Sequence, residues 1–299
     1  MVVLLTGGTG FVGTYLTDYL ISEGHKVRIL TRNPDNYEGL QTENRLYIKI
    51  REDLKTEIER SDAVINLAGE NLFDQRWTDT VKKRIMQSRV GITSSLARGI
   101  KEAQKKPLVM ISASGADYYG DQGDEIITEE SAAGSGFLTE VCMAWENAAK
   151  PVTDAGVRLA IPRLGIVLEK DGGALEKMLA PFRFFAGGPL GDGRQYLPWV
   201  HMKDVIRAVE FVIKNEKAEG VFNLCSPEPV TMSRFSSAVG SAMGRPSWLS
   251  VPGFALNLAL GEASGPILAS HRMIPVKLQE WGFQFEYRGI EPAIENILN

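Results

Sequence analysis

Four glycines mark where this chain could do chemistry. Gly7, Gly8, Gly10 and Gly13 lie between an aliphatic run, Val2–Leu5, and a stretch with apolar residues at helical spacing, Val12, Leu16, Tyr19 and Leu20. A buried strand, a tight turn and a helix start, in that order, form the geometry a dinucleotide pyrophosphate needs. Gly7 allows the sharp turn. Gly10 lets backbone approach phosphate with no Cβ in the way, and Gly13 lets the helix pack close on the strand. The N–H groups of the helix start then face the anion. The next decision falls at the end of the second strand. An acid that holds an NAD ribose is expected about 20 residues past the glycines. Thr31 and Arg32 occupy that place. A forked guanidinium suits a 2′-phosphate, so NADP(H) is favoured over NAD, with a solvated surface arginine as the alternative. Asp35 falls too late in the loop.

These residues need a scaffold, and the pattern supplies one. Strands are expected at Lys26–Thr31, Leu46–Ile50, Asp62–Leu67, Pro107–Ala113 and Arg158–Arg163. Helical segments fall between them, including residues 78–104 and Gly136–Ala155. Such alternation with short loops implies a doubly wound, Rossmann-type α/β fold, a parallel sheet covered on both faces. From about Gly172 the texture changes. A helix start at Gly172–Leu179, a glycine-rich loop at Ala186–Gln195, helices at Val205–Lys214, Thr231–Met243 and Ile290–Leu298, and a short strand at Gly220–Cys225 read as a smaller lobe. The expected division is a dinucleotide domain over 1–170 and a substrate lobe over 171–299, with elements near 200–225 returning to the main sheet.

Composition narrows the classes. The chain has 299 residues, 44% of them hydrophobic, and a net charge of −4 from 33 basic and 37 acidic side chains. That is enough for a large core. No basic block points to nucleic acid, and no apolar run reaches transmembrane length. Two cysteines, Cys142 and Cys225, have no paired spacing, so neither a disulfide framework nor a metal site is expected. A chain that starts directly in a strand, without a basic n-region, reads as having no signal peptide and as cytoplasmic. The expected partner is a small molecule; the oligomeric state is left open.

The glycine turn, Asn66–Gly69 after the fourth strand and Ser112-Ala113-Ser114 after the fifth resemble the extended short-chain dehydrogenase/reductase superfamily, as does Trp199–Val205 (WVHMKDV). A closer resemblance covers nearly the whole chain. Leu67–Leu72 (LAGENL), Arg76–Thr78 (RWT), Ser88–Val90 (SRV), Tyr118–Gly120 (YYG) and Trp145–Ala149 (WENAA) contribute to it. So do Pro162–Leu168 (PRLGIVL), Asp171–Leu175 (DGGAL), Gly187–Gln195 (GGPLGDGRQ), Pro198–His201 (PWVH) and His271–Phe285. Together they are similar to an atypical branch, the YfcH-like members of the NAD-dependent epimerase/dehydratase family, often called nucleoside-diphosphate-sugar epimerases. The resemblance implies an NADP(H)-binding Rossmann domain and a C-terminal substrate lobe. By position it implies Gly7, Gly10, Phe11, Val12 and Gly13 at the pyrophosphate and Thr31 and Arg32 at the ribose phosphate. It places Leu67 and Ala68 along the trough, Arg89 reaching back to the cofactor, and Val167 on the nicotinamide side. For Leu67, Ala68 and Val167, core packing is the alternative.

One departure matters more than these matches. Short-chain dehydrogenases carry a Tyr-x-x-x-Lys pair on the helix after the fifth strand, and its lysine lowers the tyrosine pKa for proton exchange with substrate. No such pair exists in this sequence. Placing Glu146 in one register puts the tyrosine position on Leu138 and the lysine position on Cys142. The other register puts them on Cys142 and Glu146. Replacement chemistry is expected from Ser112 and Ser114, whose hydroxyls could polarise a carbonyl or hydroxyl, and from the Tyr118 or Tyr119 phenol, with buried packing an equal alternative for one of them. Cys142 and Glu146 are weaker candidates, as is His201, one of three histidines. Glu70 and Asn71 at the trough mouth and Arg194 in the glycine-rich loop are candidate substrate ligands, Arg194 for a phosphate. Two functions follow: an NADP-dependent oxidoreductase or epimerase acting on a sugar nucleotide or other small polar carbonyl or alcohol, or a protein that binds NADP(H) without turnover as a redox sensor or docking partner.

Overall fold

A computed structural model describes residues 1–50 and 54–299. Seven parallel strands form the main sheet: β1 (Val2–Thr6), β2 (Lys26–Thr31), β3 (Arg45–Lys49), β4 (Ala63–Asn66), β5 (Val109–Ser112), β6 (Arg158–Leu164) and β7 (Gly220–Leu224). Their spatial order is β3-β2-β1-β4-β5-β6-β7, and a two-residue extension, Ser114–Gly115, also pairs with β6. The order reverses direction beside β1, the switch point at which doubly wound sheets leave a crevice at their carboxyl ends. The helices used below are α1 (Phe11–Ser22), α2 (Asp79–Glu102), α3 (Phe137–Ala149), α4 (Gly173–Arg183), α5 (Met202–Lys214), α6 (Met232–Met243), α7 (Gly253–Leu260) and α8 (Ile290–Leu298).

Strand periodicity explains why both faces are covered. Val3, Leu5, Val27, Ile29, Ala63, Ile65, Val109 and Ile111 point to one face and join a core with Leu16 and Leu20 of α1 and Val205, Val209 and Val212 of α5. Their neighbours Leu4, Leu30, Val64, Met110, Leu159 and Ile161 point to the other face and meet Leu96 and Ile100 of α2. Alternate side chains of a strand face opposite ways, so a strand apolar at every position has to be sandwiched. A third core, with Leu175 and Leu179 of α4, Phe235 and Val239 of α6 and Ile294 and Ile297 of α8, belongs to the second half of the chain.

Two elements differ from the sequence pattern. The segment expected as one helix over Gly136–Ala155 is broken: α3 stops at Ala149 and a separate turn, Pro151–Asp154, follows with proline at its start. Proline lacks the N–H that would continue the ladder and is well placed at a first helical turn. The proline- and glycine-punctuated stretch after Gly244 leads into α7, a helix with no buried residue, with Phe254 at 75% and Leu258 at 77% exposure. Arg76 holds its end by donating from Nε to the Ala259 carbonyl at 3.0 Å and from Nη2 to the Leu258 carbonyl.

Candidate functional site

The glycine turn is built as its spacing implies. Gly7 has φ +72°, a left-handed conformation that side chains disfavour. A Cβ on Gly7 would also lie 2.6 Å from the carbonyl carbon and oxygen of Leu67, so β4 can approach β1 closely only at a glycine. A Cβ on Gly13 would collide with the Gly7 carbonyl, which fixes how tightly α1 packs on the turn. Gly10 is the N-cap of α1, exposed and without a side-chain capping bond. The first N–H groups of a helix have no partner within it, so those of Phe11, Val12 and Gly13 are set to meet an anion. The Phe11 ring rests on a second glycine pair: Cβ atoms on Gly172 and Gly173 would lie 2.8 and 2.6 Å from it.

At the end of β2, Thr31 is buried and Arg32 is exposed, with no side-chain partner among the described residues. An arginine held out at this place is free to take a phosphate. The trough beside it is organised by Asn66 at the end of β4. Its Oδ1 accepts from Thr6 Oγ1 at 2.6 Å, and its Nδ2 donates to Thr93 Oγ1 at 2.8 Å and Ser112 Oγ at 3.2 Å. One amide thus ties together β1, β4, β5 and α2. Leu67 and Ala68 follow it, half-buried, with Leu67 packed against the main core. Val167 is half-buried too, in a short strand, Ile166–Leu168, that pairs in parallel with Trp199–His201.

Arg89 of α2 closes the trough from above. Its Nη2 donates to the Glu70 carbonyl at 3.1 Å, its Nη1 donates to the Ile85 carbonyl at 3.2 Å, and its guanidinium sits 5.3 Å from the Trp145 ring centre. Burial pulls its pKa below the usual arginine value. Glu70 donates its amide to Ser88 Oγ at 3.0 Å, and Asn71 Oδ1 accepts from the Phe73 amide. Both therefore stand in an ordered loop.

The far wall carries the residues that stand at the positions of the tyrosine–lysine pair. On α3, Leu138, Cys142 and Glu146 are all buried, so either register brings apolar or already partnered groups to that face. Glu146 accepts from Ser114 Oγ at 2.7 Å and forms a two-pronged pair with Arg163 of β6, both contacts 2.9 Å. Arg163 Nη1 donates to the Tyr119 hydroxyl at 2.9 Å, which donates to Asn223 Oδ1 at 2.7 Å. Burial alone would lower the Arg163 pKa; its bonds to Glu146 outweigh this and raise it. Burial pushes Tyr119 up to about 12, and it pushes the Cys142 thiol up to about 12 as well. Glu146 is held as a structural partner of Arg163 and Ser114, and Cys142 is a protonated thiol. Tyr118 is half-buried with the Arg163 guanidinium 3.3 Å from its ring centre. Ser112 is bound to the Asn66 amide, and Ser114 to Glu146, whose partner Arg163 lies against the Tyr118 ring.

Asp117 was missed by sequence reasoning. It lies one turn beyond Ser114, in the short helix Ala116–Tyr119, with its Oδ2 3.8 Å and Cys142 Sγ 3.7 Å from where a Gly115 Cβ would be. Burial raises its pKa to about 6, with the Arg89 charge opposing. A lone aspartate in a YYG-type motif carries no signal of this; only the packing of α2 and α3 over it does.

The second half supplies the remaining candidates. His201 caps α5, its Nδ1 accepting from the Lys203 amide at 3.0 Å, and stacks on Tyr287 with ring centres 3.9 Å apart. Burial lowers its pKa to about 4. Asp204 accepts from the amides of Glu286 and Tyr287 at 2.8 and 2.9 Å. The WVHMKDV segment therefore ties the C-terminal stretch to α5. Arg194 is 87% exposed and paired with Asp192. It lines an open cleft of about 430 Å³ with Asp124, Tyr196, Thr231, Ser233 and Arg272. Among the described residues no group of three acidic, histidine or cysteine side chains could hold a metal ion, and no helix is long and apolar enough to cross a membrane.

The strand order and the glycine turn define an NAD(P)-binding fold of the epimerase/dehydratase class. Residues 3–141 match the NAD dependent epimerase/dehydratase family, and residues 251–297 match a domain of unknown function, DUF1731. The SDR39U1 homolog, chloroplastic, of Arabidopsis thaliana is 37% identical over 303 residues, covering 100% of this chain and 87% of that protein. Epimerase family protein YfhF of Bacillus subtilis is 35% identical over 302 residues, covering 100% and 98%. A crystal structure of human SDR39U1 (isoform 2) with NADPH superposes with a TM-score of 0.89 at 31% identity, covering 100% of this chain and 99% of that one. The chain belongs to this SDR39U1-like epimerase family, an atypical branch of the short-chain dehydrogenases/reductases.

Proposed function

We propose that the protein is an NADP(H)-dependent oxidoreductase or epimerase acting on a small polar alcohol or carbonyl, a sugar nucleotide being the first class to test. The observation that carries the reading is the open glycine turn combined with an exposed, unpartnered Arg32 at the end of β2. The NADPH in the human SDR39U1 structure supports it. In this reading the amides of Phe11, Val12 and Gly13 hold the pyrophosphate, Gly10, whose own amide is bonded to the Gly7 carbonyl, lets it approach the backbone, Gly7 makes room, and Thr31 and Arg32 hold the 2′-phosphate. Leu67 and Ala68 line the trough, Arg89 shapes its roof, and Val167 flanks the nicotinamide. When bound, the nicotinamide supplies a hydride donor or acceptor. Ser112, Ser114 and Tyr118 border the reacting substrate oxygen, and Glu70, Asn71 and Arg194 hold the rest of the substrate. Two buried free cysteines fit a reducing, cytoplasmic setting.

The test is a titration of purified protein with NADPH and NADH followed by a metabolite panel. Tighter binding of NADPH that Arg32→Ala weakens, together with substrate-dependent oxidation or reduction of the dinucleotide, is the expected result. NADPH binding with no redox change across a broad panel would replace this reading with that of a binding protein. The bound state of Ser114 and Glu146 favours that second reading.

A further inference from the structure

We propose that Asp117 is the proton-carrying group of this site, exchanging a proton with the oxygen of a substrate bound over Gly115. The inference rests on the proposed oxidoreductase or epimerase function and adds the group that takes the place of the tyrosine–lysine pair.

Three other acid–base groups on this wall already have structural partners, and the Tyr118 phenol has its ring against the Arg163 guanidinium. Glu146 is held by Arg163 and Ser114, the Tyr119 hydroxyl is bonded to Arg163 and Asn223, and the Cys142 thiol points at the Gly115 carbonyl at 3.8 Å. The Asp117 carboxylate has no hydrogen bond from another residue's side chain among the described residues, and the residue is half-buried. Gly115 faces both groups: its Cβ position would lie in ordinary contact with Asp117 Oδ2 at 3.8 Å and Cys142 Sγ at 3.7 Å. The charged and titratable groups that face the carboxylate are few. From α2 comes Arg89, itself near Glu70, and from α3 comes Cys142, with Glu146 behind it.

The physical logic mirrors the missing pair. A lysine beside a tyrosine brings a phenol down towards neutrality. Here burial brings a carboxyl up to about 6, while Arg89 limits the rise. Either route gives a group that is populated in both protonation states near neutral pH, which is what proton exchange requires. In the oxidation direction the substrate O–H bond breaks, its electron pair becomes the second C–O bond, and the proton passes to Asp117. The hydride lost from carbon goes to the oxidised nicotinamide dinucleotide that the proposed function supplies. Reduction runs the same transfers backwards.

The experiment is a carbon-13 NMR titration of protein labelled at aspartate carboxyl carbons, with Asp117→Asn identifying the resonance, run with and without saturating NADPH. A midpoint near 6 that moves when NADPH binds is the expected result. A midpoint near 4, or one indifferent to NADPH, overturns the proposal even if the protein is active. NADPH binding is read separately by its fluorescence in wild type and Asp117→Asn. Its absence in wild type defeats the proposed function, while the carboxyl midpoint still judges Asp117. On any substrate the panel yields, Asp117→Asn is expected to lower turnover by roughly 10²–10⁴-fold at little-changed KM and melting temperature. It should also remove the acidic limb of the pH profile, and Asp117→Glu should restore part of the rate. A variant that turns over at the wild-type rate sinks the idea.

Discussion

The two walls of the crevice are made in opposite ways. The wall at β1, β2 and β4 is defined by side chains that are missing: Gly7, Gly10 and Gly13 clear a path to backbone amides, and Arg32 stands free at its edge. The wall at β5, β6 and α3 is crowded with side chains that satisfy one another, Ser114, Glu146, Arg163, Tyr119 and Asn223. The first wall is left unsatisfied and so can accept a ligand. The second gains its order internally, most of its polar side chains being bonded to one another. A family member can therefore keep the binding half of a reaction while its chemistry is rebuilt elsewhere.

Breaking the crowded wall should have the largest effect. Arg163→Ala leaves Glu146 buried without its counter-ion and should cost about 3–5 kcal/mol of stability, measured by chemical denaturation. A Glu146→Leu/Arg163→Met double variant should recover much of that. If Arg163→Ala proved neutral, the pair would not be organising this wall.

Acid should act on the second half of the chain before the glycine turn. His201 and His271 are buried with pKa values lowered to about 4, burial being the main cause for both. The folded state holds them neutral, whereas the unfolded chain protonates them near the ordinary 6.5. Stability is therefore full above pH 6.5, declines as pH falls towards 4, and gains no further loss from these groups below that. Melting curves across this range should show the decline, and His201→Asn should make it shallower.

On the open wall, Gly13→Ala forces a methyl against the Gly7 carbonyl. A destabilisation of about 1–3 kcal/mol is expected, with NADPH affinity falling at least in proportion; retained affinity would show that the turn can yield. Arg32→Ala separates binding from folding most cleanly. Its side chain has no polar partner among the described residues, so stability should stay within about 0.5 kcal/mol. NADPH affinity should fall by roughly 10–100-fold, the worth of a charged hydrogen bond, with NADH affinity unmoved.

What could be read from sequence follows the same division. The glycine turn, Arg32 and the alternation of strands and helices are local patterns, each confined to neighbouring residues, and the doubly wound parallel sheet follows from them. The crowded wall joins residues from 114 to 223, and no spacing rule links Ser114 to Glu146 or Tyr119 to Asn223. Glu146 looked like a free helix acid because Arg163 lies on another strand. Asp117 carried no signal in the sequence, because the groups that bury it come from other elements. Likewise α7 hid among proline and glycine, its apolar side chains giving no stripe because none of them is buried.

The Phe11 ring, seated on Gly172 and Gly173, has a mechanical consequence. Phe11 is the first residue of α1, and Gly173 is the first of α4. The ring is a shim between two helix starts, with no space for a methyl on either glycine. A ligand that draws the start of α1 even slightly towards itself would press that shim against α4. The two halves of the chain then could not swing apart as a free hinge while the pyrophosphate end is held.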